Sequence, residues 1–242
     1  MMQERISKDA SGATLFDAAL LPQVEPEWFA PDHWTGLGAL KSQAGGRGGV
    51  ALVRTPIGEC VLRHYRRGGL VQSLLGDQYL WAGAERSRPF AEFRLLGDIA
   101  GLGLPGPAVV AARYCRQGPF YTADLITRRI ADVQTLAQCL MAGQLDAELA
   151  EAVGDVVARF HRAGIWHADL NAHNVLVAPT GLYLIDFDRG RLRTPAAGWQ
   201  QGNLQRLQRS LRKLGAAAQG TAAFEALIWQ PLLDRYGLTL NA

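Results

Sequence analysis

His167-Ala168-Asp169-Leu170-Asn171-Ala172-His173-Asn174 is the stretch on which the reading of this chain turns. A helical pattern runs into it from Asp146 to Ala163, with Leu149, Val153, Val156 and Phe160 recurring on one face. Gly164 then suits a helix C-cap. A strand signal, Val175-Leu176-Val177, follows the stretch directly. A turn at Pro179-Thr180-Gly181 leads into a second strand, Tyr183-Leu184-Ile185, which ends on Asp186-Phe187-Asp188. The whole cassette is a polar loop, a hairpin and an acidic tip. An Asp with an Asn five positions on is common by chance, and what makes the set informative is the second Asp at a hairpin's distance.

That order resembles the protein-kinase catalytic loop, H-R-D-L-x-x-x-N, with D-F-G after a short hairpin. Phosphoryl transfer asks little covalent work of a protein; it needs a positioned hydroxyl and neutralised phosphate charge. On this resemblance Asp169 accepts the hydroxyl proton or orients the acceptor. Asn174 offers an amide oxygen and Asp186 a carboxylate to Mg²⁺, a cation that favours hard oxygen ligands and keeps several waters. The glycine of D-F-G is Asp188 here, which is either a second metal ligand or a plain replacement. No A-P-E follows, and the segment is short for a regulated activation loop.

The chain is 242 residues long, enough for one large domain or two small lobes, and 48% hydrophobic, enough for a sizeable core. A net charge of +3 is mild and does not argue for nucleic acid. Its basic residues are nearly all Arg, with Lys only at Lys8, Lys41 and Lys213. Arg is the better bidentate partner for phosphate and carboxylate, although a GC-rich genome produces the same bias. Cys60, Cys115 and Cys139 have no ligand spacing and suggest a reducing compartment. The start of the chain lacks the apolar core of a signal peptide, and no run approaches a membrane span.

Residues 1–35 are expected to form an irregular strap, with Trp28, Phe29 and Trp34 as packing anchors. Gly45-Gly46-Arg47-Gly48-Gly49 then precedes strands at Val50–Arg54 and Cys60–Tyr65. Backbone N–H groups of such a turn can approach phosphates closely, so Gly46 and Gly48 are candidate nucleotide contacts. Kinases carry a Lys on the following strand; Val61-Leu62-Arg63 places Arg there, with Arg66 and Arg67 as competitors. A helix from Arg88 to about Ala100 starts with Pro89 in its first turn. Its Glu92 is placed to pair with Arg63. Strands at Ala108–Tyr114 and Phe120–Ile126 complete an expected five-stranded lobe, with a hinge near Ile126–Arg129. Helices follow around Val133–Leu140, at Asp146–Ala163, at Asn203–Leu214 and at Phe224–Tyr236. Arg206, Arg209, Arg212 and Lys213 form a basic flank on the third of these, either a solvated face or a membrane-surface contact.

The wording of four blocks is more specific still. Trp166 through Asn174, Leu184 through Arg189, Val61 through Gly69 and Asn203 through Lys213 resemble the 3-deoxy-D-manno-octulosonic acid (Kdo) kinase family, bacterial relatives of the lipopolysaccharide-core heptose kinases. The resemblance covers roughly residues 40–236. It implies an α+β, bilobal protein-kinase-like fold, with an antiparallel-sheet ATP-binding lobe over residues 1–126 and a helical catalytic lobe over 127–242. It implies transfer of the ATP γ-phosphate to the 4-hydroxyl of Kdo on a Kdo–lipid A precursor, with ATP and Mg²⁺ as cofactors. It also implies a peripheral location on the cytoplasmic face of the inner membrane, against an anionic membrane surface. By carry-over Asp169 is catalytic, Asn174 and Asp186 hold the metal, and Gly46, Gly48, Arg63 and Glu92 serve the nucleotide. The competing readings are a protein Ser/Thr or Tyr kinase, another small-molecule phosphotransferase, and an inactive nucleotide-binding scaffold. Oligomeric state is not legible.

Overall fold

The computed structural model describes residues 2–44, 49–66, 76–218 and 220–242. The chain separates into two compact units, Met1–Gly97 with Pro107–Arg129, and Asp98–Gly106 with Ile130–Ala242.

Among the described residues the first unit is built on an antiparallel sheet of eight strands rather than five. In chain order these are β1 (Glu4–Lys8), β2 (Gly12–Asp17), β3 (Leu40–Ala44), β4 (Val50–Thr55), β5 (Gly58–His64), β6 (Tyr79–Leu80), β7 (Val109–Gln117) and β8 (Phe120–Arg128). Their spatial order is β1-β2-β7-β8-β5-β4-β3, with β6 on β8. The expected strap therefore begins with a hairpin that extends the sheet. Its two strands lack the alternation that marks a half-buried strand: Ala13 to Asp17 are all buried, whereas every residue of β1 is exposed. The charges of β1 suit an edge strand, where they discourage further pairing. Gly12 is required by proximity, because a Cβ there would lie 2.0 Å from the Tyr114 carbonyl oxygen.

The rest of the strap behaves as an anchor. Leu21, Val24, Phe29 and Trp34 pack with Phe16 on Ala51, Val53, Cys60, Leu62, Val110 and Ile126 of the sheet. Trp34 donates its ring N–H to the Trp28 carbonyl at 2.8 Å. A short helix, α1 (Pro31–Gly36), lies in this strap, and α2 (Arg88–Gly101) follows β6. Phe90, Phe93, Leu96 and Ile99 of α2 are buried.

The second unit is mainly helical. It contains β9 (Gln134–Thr135), α3 (Leu136–Met141), α4 (Ala147–Arg162), β10 (Ile165–Trp166), β11 (Val175–Ala178), β12 (Gly181–Leu184) and β13 (Arg191–Leu192). It closes with α5 (Ala197–Lys213), α6 (Thr221–Phe224), a π-helical turn at Glu225–Trp229 and α7 (Gln230–Leu240). Val133 lies ahead of α3 rather than within it, because Gln134 and Thr135 pair with β11 and Thr135 makes a capping box with Gln138. Asp146 caps α4 by accepting the Leu149 N–H at 2.9 Å. Gly164 follows its end with φ 78°, the left-handed conformation expected of a residue past a helix C-terminus. Helices α4 and α7 approach so closely at Gly154 that a Cβ would lie 2.2 Å from the Leu232 carbonyl oxygen. The last helix expected from the sequence, Phe224 to Tyr236, lies within a continuous helical run from Thr221 to Leu240 that takes a π turn at Glu225–Trp229, just ahead of Pro231, which has no N–H to continue the ladder.

Candidate active site

The polar loop at 167–174 is fixed by the hairpin that follows it. Val175 pairs with Leu184 and Ala178 with Gly181, leaving Pro179 and Thr180 at the tip. Beyond the last pair, the Ile185 N–H donates to the Asn174 carbonyl at 3.0 Å. The hairpin thus returns the chain to Asn174 at the point where Asp186 begins. Asp186 has φ 62° and Arg189 φ 60°, uncommon for non-glycine residues. Backbone strain of this kind persists where surrounding contacts over-determine it, and it gathers at functional sites.

His167 links the loop to the acidic tip. Its ring is buried, its Nε2–H donates to the Ile185 carbonyl at 2.9 Å, and its Nδ1 accepts the Asp169 N–H at 3.1 Å. Those two bonds require the neutral ring with its proton on Nε2. Burial also pushes the His167 pKa down, opposed by the bond to Ile185 and by the Asp186 and Asp169 charges. Its ring meets Phe187 at 4.8 Å between centroids, and Phe187 stacks on Phe160 of α4 at 5.6 Å. One apolar column therefore seats both ends of the cassette.

Asn174 is buried, and its Nδ2 donates to the Asp169 carbonyl at 2.9 Å while its N–H donates to the Asn171 carbonyl at 3.0 Å. With the amide nitrogen used in this way, Oδ1 is the atom left to coordinate. Asp169 keeps an exposed carboxylate. Asn171 Nδ2 donates to its Oδ2 at 3.1 Å, and Arg206 Nη1 lies 3.1 Å from its Oδ1. Among the described residues no three His, Cys, Asp or Glu side chains gather to cage a metal. What Asn174 and Asp186 offer is one amide oxygen and one carboxylate, a sparse hard-oxygen set that fits Mg²⁺ with its retained waters.

Three residues of α5 grip the loop, and none was assigned such a role from the sequence. Asn203 accepts the His167 N–H at 3.3 Å and donates to the His167 carbonyl at 2.7 Å. Arg206 takes Asp169, and Ser210 Oγ accepts the Ala172 N–H at 3.1 Å. Spaced i, i+3, i+7, they lie along one side of the helix, a polar seam beside the buried Leu204, Leu207 and Leu211. That spacing is present in the sequence, among basic residues whose pattern points equally to a solvated surface. Arg212 is also engaged, pairing with Glu225, while Arg209 and Lys213 stay exposed. Behind Asn203, His161 Nε2 donates to its Oδ1 at 3.2 Å, and His161 Nδ1 accepts the Tyr236 hydroxyl at 2.9 Å. Burial pushes His161 down to about 4.

In the first unit Arg63 Nη2 lies 2.5 Å from Glu92 Oε2, and the Tyr65 hydroxyl donates to the same oxygen at 2.5 Å. Glu92 is 3% exposed, and a carboxylate so buried depends on charged and hydrogen-bonding partners such as these. The Arg63 guanidinium also stands over the Tyr65 ring at 4.5 Å. On the same strand His64 is held between Asp124 at 2.7 Å and Asp77 at 2.6 Å. Gly46 and Gly48, and the competitor Arg67, lie outside the described residues.

Comparison with known proteins follows the same lines. Residues 32–230 match the model of the lipopolysaccharide kinase (Kdo/WaaP) family. The chain is 49% identical over 205 residues to a 3-deoxy-D-manno-octulosonic acid kinase of Stenotrophomonas maltophilia (strain R551-3), covering 84% of this chain and 81% of that one. It is 48% identical over 204 residues to the kinase of that name from Xanthomonas axonopodis pv. citri (strain 306), with the same coverage. The solved structure of WaaP in complex with acyl carrier protein is similar with a TM-score of 0.52 at 18% identity, over 89% of this chain and 88% of that one. A glucosamine kinase is similar with a TM-score of 0.50 at 13% identity, over 99% and 82%. The structural likenesses show an α+β kinase-like fold, and the sequence matches show descent: the chain belongs to the lipopolysaccharide kinase (Kdo/WaaP) family.

Proposed function

We propose that this chain is an ATP-dependent Kdo kinase that phosphorylates the 4-hydroxyl of Kdo on a Kdo–lipid A precursor. The observation that carries the proposal is the lock between Asp169 and Asn174. The asparagine side-chain amide donates to the aspartate carbonyl, and the asparagine backbone carbonyl accepts the Ile185 N–H where the Asp186 tip begins. This arrangement, with close relatives that bear the kinase name, supports a site that aims a hydroxyl at a metal-bound phosphate.

In this reading Asp169 receives the proton of the acceptor hydroxyl, for which its exposed carboxylate is accessible. Asn174 Oδ1 and the Asp186 carboxylate would hold Mg²⁺. When bound, that ion neutralises charge on the transferring phosphate. His167 stays neutral and fixes the Asp169 backbone. Arg63, held by Glu92, clamps the nucleotide phosphates, and Gly46 and Gly48 are candidate contacts to the same nucleotide. The acceptor's lipid brings the protein to the cytoplasmic face of the inner membrane, with Arg209 and Lys213 as the exposed cations of α5 available to anionic headgroups. Among the described residues no helix is long and apolar enough to cross a membrane, which fits attachment from one side.

Incubation with γ-labelled ATP and one of three acceptors tests the proposal: a detergent-dispersed Kdo–lipid A precursor, a generic protein substrate and a small amino sugar. Label is expected on the first alone. Equal or greater labelling of either other acceptor overturns it.

A further inference from the structure

We infer that Arg206 recognises the carboxylate of the acceptor sugar, and so makes the site specific for an acidic sugar. The inference rests on the acceptor reading above. Its starting point is that α5 delivers a cation directly to the proposed catalytic carboxylate. Nη1 of Arg206 is 3.1 Å from Asp169 Oδ1, and the side chain remains 47% exposed. A guanidinium carries five N–H donors, and Asp169 is the partner recorded for Arg206 among the described residues. With the side chain nearly half exposed, donors remain for a second anion.

Asp169 is already oriented without this pair. Asn171 donates to its Oδ2, His167 holds its N–H, and Asn171 and Asn174 both donate to its carbonyl. A cation added only for orientation would be redundant. It would also oppose proton acceptance, since a nearby positive charge favours the ionised carboxylate. Chemistry that does require a cation here lies in the acceptor. An octulosonic acid carries its carboxyl on C2, two carbons from the 4-position. When the 4-hydroxyl is within hydrogen-bond reach of Asp169, that carboxylate is within a sugar ring's width of the same aspartate. Two anions would then face each other unless a cation stands beside both. Arg206 occupies that place, and its planar fork matches a carboxylate as Lys does not. The grip of Asn203 and Ser210 on the loop, one turn to either side, sets the helix register that puts the guanidinium there.

The test compares the full-length protein with Arg206→Gln and Arg206→Lys. Two detergent-dispersed acceptors are used, one with the free Kdo carboxyl and one with it as the methyl ester, and kcat and KM are measured for acceptor and for ATP. The wild type is expected to prefer the acid by about 30-fold or more in kcat/KM, the scale for breaking a charge-paired contact. Most of this should lie in acceptor KM, with ATP KM unchanged. Arg206→Gln is expected to bring the acid down to the level of the ester, so that the preference disappears, and Arg206→Lys to recover it only in part. An ester that works as well as the acid in the wild type overturns the inference, as does a preference that survives in Arg206→Gln. So does an equal fall in kcat for both acceptors, the mark of a residue that only orients Asp169. No turnover of the acid acceptor by the wild type would instead sink the acceptor reading itself.

Discussion

Asp169 and Arg63 stand in opposite electrostatic situations, and replacing each has a different signature. The Asp169 carboxylate is exposed, and its backbone is held by His167, Asn171 and Asn174. Asp169→Ala is therefore expected to leave the melting temperature within a degree or two while turnover falls by at least ~10³-fold, at the upper end for a positioned acid–base group with an orienting role. Near-normal turnover of that variant removes the role assigned to it. Arg63 is different, because its loss takes a paired cation from the buried Glu92 carboxylate. Arg63→Ala is expected to reduce kcat/KM for ATP by ~10²-fold or more, and to destabilise the protein by about 3 kcal/mol, the scale for an uncompensated buried charge. The double variant Arg63→Ala, Glu92→Gln separates the two effects. Stability should return because the stranded charge is gone, while ATP use stays poor. Recovery of both would show that Arg63 serves packing and not phosphate.

The grip of α5 on the polar loop is the element-scale device of this molecule, and Asn203 is its centre. One buried side chain serves the His167 N–H, the His167 carbonyl and His161. Asn203→Ala leaves those groups without partners and is expected to cost about 3 kcal/mol. Released from α5, the loop should also lose turnover by ~10²-fold through misplacement of Asp169, whereas Gln208→Ala on the same helix, bonded at 3.2 Å to Glu225, should leave turnover unchanged. Chemical denaturation and steady-state assays of both variants check this; equal activity of the two would show that the grip has no catalytic consequence. The same helix shows what a sequence conceals. The loop, the hairpin and the acidic tip are legible because spacing within some twenty residues defines them. Asn203 is 36 residues from His167, and nothing local marks it as a loop partner. Strands β1, β2 and β13 were missed for related reasons. β2 is buried on both faces, β1 is exposed throughout, and β13 exists only because Arg191 and Leu192 pair with Trp166 and Ile165.

Across the whole molecule, histidines make stability depend on pH in both directions, and each unit carries one of the two. In the second unit His161 and His167 are buried neutral, and burial lowers both pKa values, to about 4 for His161. A group with a depressed folded pKa binds fewer protons folded than unfolded, so its contribution is present above the ordinary value near 6.5 and is lost as pH falls. In the first unit His64 is the reverse. The bond to Asp124 and, behind it, Asp77 raise its pKa against a smaller opposing effect of burial. With both ring nitrogens facing carboxylates, the folded protein favours the imidazolium, and this contribution is present below about 6.5 and fades as pH rises through the raised value. Two substitutions should therefore flatten opposite limbs of the stability profile. His161→Gln should remove an acid-side loss of about 3 kcal/mol between pH 7 and pH 4, the span set by a pKa falling from 6.5 to about 4. His64→Gln should remove an alkaline-side loss that begins above pH 6.5 and leave the acid limb untouched. Urea denaturation from pH 4 to pH 9 on the three proteins reads both effects, with fluorescence and backbone dichroism followed together to detect non-coincident transitions. An acid limb that is unchanged in His161→Gln would mean that His161 carries its proton in the folded state, against the lowering that its burial imposes.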